Sequence, residues 1–323
     1  MTLTTEQRDR AAGVLVGQAC GDALGVPYEF GTPPPDGRPQ MVGGGLGPYA
    51  PGEWSDDTQM AVCIAQVAAT GADLTSAEAL DEIASGFEAW YASGPADVGN
   101  QTSAVLELAT RMPGSPAERL REASRRVHER TGLSAGNGAL MRTGPVALAH
   151  LDDPDRAALA AREIAGLTHH DPRAGDSCVL WTDLVRRAVL DGRLPEVDLG
   201  LLPEERRDEW AALVAAAEEL APATFTPNGD TMRAFQAAYA SVRTAERSGE
   251  TGRALFEAGL VAAVMVGHDT DTVAAIAGAL LGAVGGLAAV PEEWREAVHG
   301  WPGYRADDLV RLALATVEGG GSG

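Results

Sequence analysis

Two short acidic stretches of the chain have side chains that could carry chemistry. One covers residues 55–57 and the other residues 269–272, and each has two carboxylates with a hydroxyl beside them. The oxygen-bearing side chains are Ser55, Asp56, Asp57, Asp269, Asp271 and Thr272. Either stretch alone is typical of a helix N-terminus, where Ser or Asp caps backbone N–H groups and acids favour the helix dipole. Together they hold more oxygen ligands than two caps require.

Four aspartates would lie close together if these two stretches meet in the fold. Neighbouring carboxylates raise one another's pKa, and the only basic residue type available to relieve them is arginine, because the chain contains no lysine. Hard divalent cations would relieve this repulsion. A ligand set made only of oxygen atoms, without cysteine or paired histidine, favours magnesium or manganese over zinc. We therefore predict a site for two Mg²⁺ or two Mn²⁺ ions.

The composition is that of an ordinary globular protein with an acidic surface. Of 323 residues, 45% are hydrophobic, and the net charge of -21 argues against nucleic acid or anionic membrane as a partner. The three cysteines are widely separated, which indicates buried, reduced thiols in a cytoplasmic protein. Residues 273–290 lack charge but consist mainly of alanine and glycine, which predicts a core helix and not a membrane span.

The positions that carry chemistry must be held by helices, because apolar residues recur at three- and four-residue spacing and no segment alternates as a strand does. We predict an all-α fold with one domain, residues 1–318, followed by a flexible tail, residues 319–323. Residues 25–56 are rich in proline and glycine and should form a long functional loop. The predicted helices span 3–21, 58–70, 76–92, 117–129, 155–167, 173–190, 204–220, 232–248, 254–266, 272–287 and 306–317.

Six segments, in this order along the chain, carry a resemblance to a known family. They are residues 17–30, 52–60, 93–99, 134–142, 168–174 and 267–279. The sequence resembles the ADP-ribosylglycohydrolase family. The resemblance implies a compact orthogonal helical bundle with a dinuclear magnesium or manganese centre. It also implies release of ADP-ribose by cleavage of an N- or O-glycosidic bond at C1 of the distal ribose.

The resemblance also suggests roles for individual residues. The metal ligands would be Ser55, Asp56, Asp57, Asp269, Asp271 and Thr272. Proton transfer would fall to Asp56, Asp57 or Glu29, and Asp97 would reach the ribose. Glycines just before a helix let backbone N–H groups approach an anion, so residues 134–138 are either an ordinary capped loop or a pyrophosphate and ribose cradle. The residues expected to bind substrate are Ser134, Gly136, Asn137, Gly138 and His169.

Two further side chains have open interpretations. Asp22, expected to lie in a turn formed by residues 21–25, would cap or pin that turn by hydrogen bonds. Arg142 would either pair with the diphosphate of a ligand or hold a buried acid. His169, beside His170, is expected to contact adenosine or phosphate.

Three functions fit this sequence. We expect a hydrolase acting on an ADP-ribosylated protein or small molecule, with ADP-ribose as product, working as a monomer without nucleic acid or membrane. The alternative on the same fold is a non-catalytic ADP-ribose-binding protein. A magnesium phosphohydrolase would share the acidic stretches but would cut the pyrophosphate and yield AMP.

Overall fold

The computed structural model describes residues 2–132 and 134–319, and in these residues it contains fourteen α-helices and a two-stranded antiparallel ribbon. The helices are α1 Thr5–Gly25, α2 Asp56–Ala68, α3 Ala77–Ala92, α4 Asn100–Ala109, α5 Pro116–Thr131, α6 Gly144–Ala149, α7 Pro154–Gly166, α8 Pro172–Asp191, α9 Glu204–Glu219, α10 Thr231–Arg247, α11 Gly252–Val264, α12 Thr270–Gly285, α13 Glu292–Ala297 and α14 Ala306–Gly319. The strands are β1 His299–Gly300 and β2 Tyr304–Arg305, and one 3₁₀ helix, Asn137–Arg142, lies in the site region.

The predicted all-α, single-domain fold is confirmed, and every predicted helix is present with ends within four residues of the expected ones. The sequence reading missed α4, α6, α13 and the ribbon, which are short elements. It was also wrong about residues 21–25, because they continue α1 instead of forming a turn. Of the predicted tail, only Gly319 is described, and it ends α14; residues 320–323 lie outside the described residues.

The antiparallel pair α1 and α12 forms the centre of the molecule. Their backbones touch, because a Cβ atom added at Gly17 would overlap the carbonyl oxygen of Gly278. The same contact recurs one turn later, where a Cβ at Gly21 would overlap the carbonyl oxygen of Ala274. Only residues without a side chain permit so close an approach. The packing brings the end of α1 against the beginning of α12, where one acidic stretch begins.

Helix α12 occupies the interior, as predicted for the alanine- and glycine-rich segment. Its residues 270–283 are all buried. No α-helix in the described residues combines the length and apolar character needed to cross a membrane. The three cysteines are buried and unpaired, as expected: Cys20, Cys63 and Cys178.

The long loop runs without α-helix from the end of α1 to the beginning of α2, as its proline and glycine content predicts. Its last part is fixed by Trp54, whose side chain is fully buried. The Trp54 backbone N–H donates to the carbonyl oxygen of His299 at 3.0 Å, and its indole N–H donates to that of Trp301 at 3.3 Å. These contacts anchor the residue that directly precedes the first acidic stretch.

Candidate active site

Asp22 holds the first turn of α2. Its Oδ1 accepts hydrogen bonds from the backbone N–H and the hydroxyl of Ser55, both at 2.8 Å. Its Oδ2 accepts from the backbone N–H of Thr58 at 3.0 Å and from the Thr58 hydroxyl at 2.6 Å. Burial raises the pKa of Asp22 to about 6, against the lowering effect of these bonds. A side chain from α1 therefore caps α2, in place of the usual N-cap residue.

Carboxylates from distant parts of the chain meet where α1, α2 and α12 come together. Asp22, Asp57 and Asp271 each place an oxygen within 4.8 Å of the others, and Glu29, Asp269 and Asp271 form a second such group. Asp271 belongs to both groups. Its Oδ2 lies 3.3 Å from the hydroxyl oxygen of Ser55, a residue 216 positions away in the chain.

The hydroxyl of Ser55 lies against three carboxyl groups of this cluster. Its oxygen lies 2.8 Å, 3.0 Å and 3.3 Å from carboxylate oxygens of Asp22, Asp57 and Asp271, respectively. A hydroxyl has one proton to donate, so the other two contacts require a proton on a carboxyl group or a cation between the oxygens. The other oxygen of Asp57, Oδ1, is buried without any hydrogen-bond partner. These unneutralised oxygens fit a divalent cation with oxygen ligands.

The cluster strongly favours protonation in the absence of a cation. Burial, then repulsion from Glu29 and Asp57, raises the pKa of Asp271 well above its usual range. Burial, then repulsion from Asp269, raises the pKa of Glu29 to about 9. Within residues 2–132 and 134–319, no arginine forms an ion pair with any of these acids. The gap between the carboxylates is therefore not closed by a side-chain cation.

Two asparagines fix the second acidic stretch. Asn137 donates a hydrogen bond from its side-chain amide to Oδ2 of Asp269 at 2.7 Å. The backbone N–H of Asp269 donates to Oδ1 of Asn228 at 2.9 Å, and the amide of Asn228 donates to the carbonyl oxygen of Gly267 at 3.1 Å. Asn137 was predicted to bind substrate, whereas Asn228 was not singled out. A lone asparagine in a segment without a recognisable motif offers no sequence signal.

A pair of strained residues holds Glu29 near the same stretch. Phe30 and His268 both have positive φ angles, 47° and 67°, which residues other than glycine rarely adopt. The Phe30 backbone N–H donates to the His268 carbonyl oxygen at 2.6 Å, and their rings meet edge to face with centroids 4.9 Å apart. Because Glu29 precedes Phe30 and Asp269 follows His268, this contact brings the two carboxylates together. Sequence reasoning missed it.

A cavity of about 380 Å³ opens beside the acids. Asp56 and Asp97 line it, and Asp56 belongs to neither close group of carboxylates; its Oδ2 accepts from the backbone N–H of Gly99 at 3.4 Å. The cavity is lined at the acids by Glu29, Asp56, Asp97, Asp269, Asp271 and Thr272, and elsewhere by Gly136, Asn137, Gly138 and His169 among others. Four of the six predicted ligands and four of the five predicted substrate contacts therefore line one cavity, whereas Ser55 and Asp57 lie behind its wall and Ser134 lies outside it.

The segment 134–138 departs in part from expectation. The helix expected just after these glycines is a 3₁₀ helix, Asn137–Arg142, and it begins within the segment. Ser134 is buried and does not line the cavity, and its hydroxyl oxygen lies 2.6 Å from Nδ1 of His128. Gln101, which was not predicted, ties this segment to its neighbour by donating to the carbonyl oxygens of Ser134 and Thr168 at 3.0 Å and 3.1 Å.

Arg142 takes neither of the two roles considered for it. Its guanidinium is fully buried and lies 4.4 Å from the ring centroid of Phe87. It donates to the hydroxyl of Thr168 at 2.7 Å and to the carbonyl oxygen of Ile164 at 3.3 Å. It does not line the cavity, and among the described residues it pairs with no carboxylate. Burial lowers the pKa of Arg142 to about 10, so it remains cationic near pH 7.

Comparison with known proteins gives a consistent result over nearly the whole chain. The model of the ADP-ribosylglycohydrolase family matches residues 3–321. The chain is 30% identical to the ADP-ribosylarginine hydrolase Tri1 of Pseudomonas putida (strain GB-1) over 308 residues, 92% of this chain and 76% of that relative. It is 29% identical to the ADP-ribosyl-[dinitrogen reductase] glycohydrolase of Rhodospirillum rubrum, covering 88% of this chain and 89% of the relative. Human ADP-ribosylhydrolase ARH3 is 28% identical, with 82% and 78% covered.

A solved structure agrees with these relatives. The fold superimposes on an ADP-ribosylglycohydrolase-related protein complex with a TM-score of 0.72 and 29% identity, covering 98% of this chain and 99% of the other. Fold, motifs and relatives thus point to one family. The chain belongs to the ADP-ribosylglycohydrolase family, whose members are enzymes that hydrolyse the glycosidic bond of ADP-ribose.

Proposed function

We propose that this protein releases ADP-ribose from an ADP-ribosylated substrate by hydrolysing the bond at C1 of the distal ribose, with two Mg²⁺ or Mn²⁺ ions bound in its acidic cluster. One observation carries the proposal. Two groups of carboxylates, all buried except the half-buried Glu29, share Asp271 on the wall of a cavity, and no arginine among the described residues forms an ion pair with them. Negative charges this close together and shielded from water are unfavourable unless cations bind between them.

The carboxylates and hydroxyls of the acidic cluster would serve as the metal ligands. Asp57 and Asp271 would hold one ion, and Glu29, Asp269 and Asp271 the other, with Ser55 and Thr272 as hydroxyl ligands. When bound, the ions supply concentrated positive charge that polarises ligand oxygens. Asp22 orients the hydroxyl of Ser55, and Asn137 orients the carboxylate of Asp269, through the hydrogen bonds described above.

Proton transfer falls in this proposal to an acid that faces the cavity. Asp56 lines the cavity and lies outside the two close groups, which leaves its carboxylate available to a water molecule or a leaving group. Glu29 is the second candidate, because its side chain lines the same cavity. Asp97 on the same wall would contact ribose hydroxyls.

The substrate would be an ADP-ribosylated protein or a small ADP-ribosylated molecule, recognised by one chain acting alone. The relatives named for arginine and dinitrogen reductase make ADP-ribosylarginine the first substrate to test, followed by ADP-ribosylserine. The cavity segment from Gly136 to Gly138, with His169, would receive the remainder of the ADP-ribose.

The proposal is tested by incubating the full chain with ADP-ribosylarginine and ADP-ribosylserine peptides, with Mg²⁺, Mn²⁺ or EDTA. Mass spectrometry of the products should find ADP-ribose only when metal is present. We expect Asp56→Asn and Asp271→Asn each to reduce turnover by about 10²-fold or more, as loss of an essential acid or ligand does.

The control variant is Asp230→Asn, since that residue caps α10 and does not line the cavity. It should retain turnover close to wild type. Binding of ADP-ribose without turnover of either peptide would instead identify a non-catalytic ADP-ribose-binding protein. Production of AMP would identify a phosphohydrolase, and full activity in EDTA would contradict the metal site.

A further inference from the structure

His169 presents one nitrogen to the protein and the other to the cavity. Its Nδ1 lies 2.8 Å from the hydroxyl oxygen of Thr168. The side chain is 3% exposed, and His169 lines the cavity beside Gly136 and Gly138. A Cβ atom added at Gly136 would lie 3.2 Å from His169 Nε2, and one added at Gly138 would lie 3.3 Å from it. Among the described residues, Nε2 has no hydrogen-bond partner.

The hydrogen bonds of Thr168 determine which nitrogen of His169 carries the proton. The hydroxyl oxygen of Thr168 already accepts a hydrogen bond from the guanidinium of Arg142 at 2.7 Å. Arginine can only donate, so the proton of the Thr168 hydroxyl must find an acceptor elsewhere. Thr168 is fully buried, and Nδ1 of His169 is the acceptor within reach. The opposite arrangement, with Nδ1 donating, would leave the hydroxyl proton buried and unpaired.

We propose that Arg142 and Thr168 are positioning residues that hold His169 as the neutral Nε2–H tautomer, so that it donates a hydrogen bond to an oxygen acceptor of the ligand in the cavity. This inference rests on the proposed function only for the identity of that ligand, which would be the ADP-ribose portion of the substrate. The proton arrangement itself depends on Arg142, Thr168 and His169 alone. A neutral N–H donor suits a phosphate, hydroxyl or ether oxygen and excludes a hydrogen-bond donor at that point.

The surroundings of the ring support a neutral imidazole. Burial, and then the positive charge of Arg142, lower the pKa of His169 to about 3. Titratable groups close to the ring in the chain include the exposed His170, His128 across from it, and Asp171, which caps α8; a second cavity that His169 lines is also lined by charged residues, among them Arg162 and Arg206. None of these forms a hydrogen bond with the His169 ring among the described residues.

The first test needs neither substrate nor metal. Long-range ¹H–¹⁵N correlation spectra of the ¹⁵N-histidine-labelled full chain at pH 7 report the tautomer of each of its six histidines. The signals of His169 are those missing from the His169→Gln spectrum. We expect the pattern of a neutral ring protonated at Nε2. A ring protonated at Nδ1, or an imidazolium, would overturn the proposal.

Variants of Thr168 test its part directly. Thr168→Ser keeps the hydroxyl and should keep the Nε2–H pattern, whereas Thr168→Val removes it and should give a mixture of tautomers. An unmixed Nε2–H pattern in a folded Thr168→Val protein would refute the positioning role. Should the valine variant fail to fold, the wild-type spectrum alone still decides between the two tautomers.

Binding measurements connect the tautomer to the ligand. Glutamine places an amide N–H near the position of Nε2, whereas asparagine reaches only the position of Nδ1. Calorimetry with ADP-ribose should therefore show a Kd within about threefold of wild type for His169→Gln and weakened about tenfold for His169→Asn. Equal weakening in both variants would contradict donation from Nε2. Failure of wild type to bind ADP-ribose would count against the proposed function, while the spectra would still test the tautomer.

Discussion

Replacing Asp271 with asparagine is expected to stabilise the metal-free protein, which is the reverse of what most buried substitutions do. Asp271 is 2% exposed, and burial with repulsion from Glu29 and Asp57 raises its pKa well above the usual range. The amide has nearly the same shape and no charge. The substitution therefore removes the repulsion without opening a cavity.

The stability gained by Asp271→Asn has an upper bound, because in the folded wild-type protein the carboxyl of Asp271 can take up a proton and lose its charge. Holding a carboxyl of ordinary pKa 3.8 protonated at pH 7 costs about 4 kcal/mol, and at pH 5 about 1.6 kcal/mol. A group with a raised pKa contributes its full stability below the ordinary pKa and loses it as the pH rises. The difference in free energy of unfolding between the variant and wild type therefore grows as the pH increases from 5 to 7.

Thermal unfolding in EDTA, followed by circular dichroism, measures this gain. For 323 residues, a gain of about 2–4 kcal/mol corresponds to a rise in Tm of roughly 3–6 °C at pH 7. Saturating Mn²⁺ should reverse the order, because two ions, each at a hundred times its Kd, together stabilise wild type by about 5.4 kcal/mol, and the variant has lost a ligand that both sites share.

Asp176→Asn is the matched control for this experiment. Asp176 is also fully buried, but it pairs with Arg162 at 2.8 Å and with Arg206. Its replacement removes the negative charge that pairs with these two half-buried arginines, far from the acidic cluster, so it should lower Tm equally with EDTA and with Mn²⁺. The reasoning is refuted if Asp271→Asn melts below wild type in EDTA, or if Mn²⁺ stabilises both proteins to the same extent.

Three other outcomes follow from the packing and the charges. Gly278→Ala should destabilise the protein by about 1–3 kcal/mol in urea unfolding, because the new Cβ meets the backbone of Gly17. Gly166→Ala, with open space around it, should leave the free energy of unfolding unchanged. Equal free energies of unfolding for the two variants would contradict the backbone contact. In EDTA, the free energy of unfolding should fall as the pH rises from 4.5 toward 9, because the pKa of Glu29 is raised to about 9. Glu29→Gln should make the free energy of unfolding depend less on pH. The same pH dependence in wild type and variant would contradict the raised pKa of Glu29. Asp22→Ala removes four hydrogen bonds to the first turn of α2 and should lower the free energy of unfolding in urea by about 3 kcal/mol or more. A decrease of less than about 1 kcal/mol would contradict the capping role of Asp22.

The helical architecture could be predicted because apolar spacing is a local property of the sequence. The two acidic stretches were recognisable for the same reason, since each contains its carboxylates and hydroxyl within a few residues. Their convergence could be posed as a hypothesis, but it depends on the glycine contact between α1 and α12. That contact is decided by tertiary packing, which residue spacing alone does not reveal.

The features that sequence reasoning missed are all pairwise contacts between distant segments. Asn228 orients Asp269 from a loop without a motif. Asp22 was expected in a turn, yet α1 continues past it because its glycines are tolerated where α12 packs against them. Arg142 was expected to meet an anion, and instead it bonds to the hydroxyl of Thr168. One-dimensional patterns identify residue types suited to a task but do not specify their partners.

Anomalous scattering from crystals of the full chain grown with Mn²⁺ tests the central claim most directly. We expect two manganese peaks, one beside Asp57 and Asp271 and the other among Glu29, Asp269 and Asp271, so that Asp271 lies near both. The absence of a peak at Asp271, or manganese bound only to carboxylates elsewhere on the surface, would contradict it.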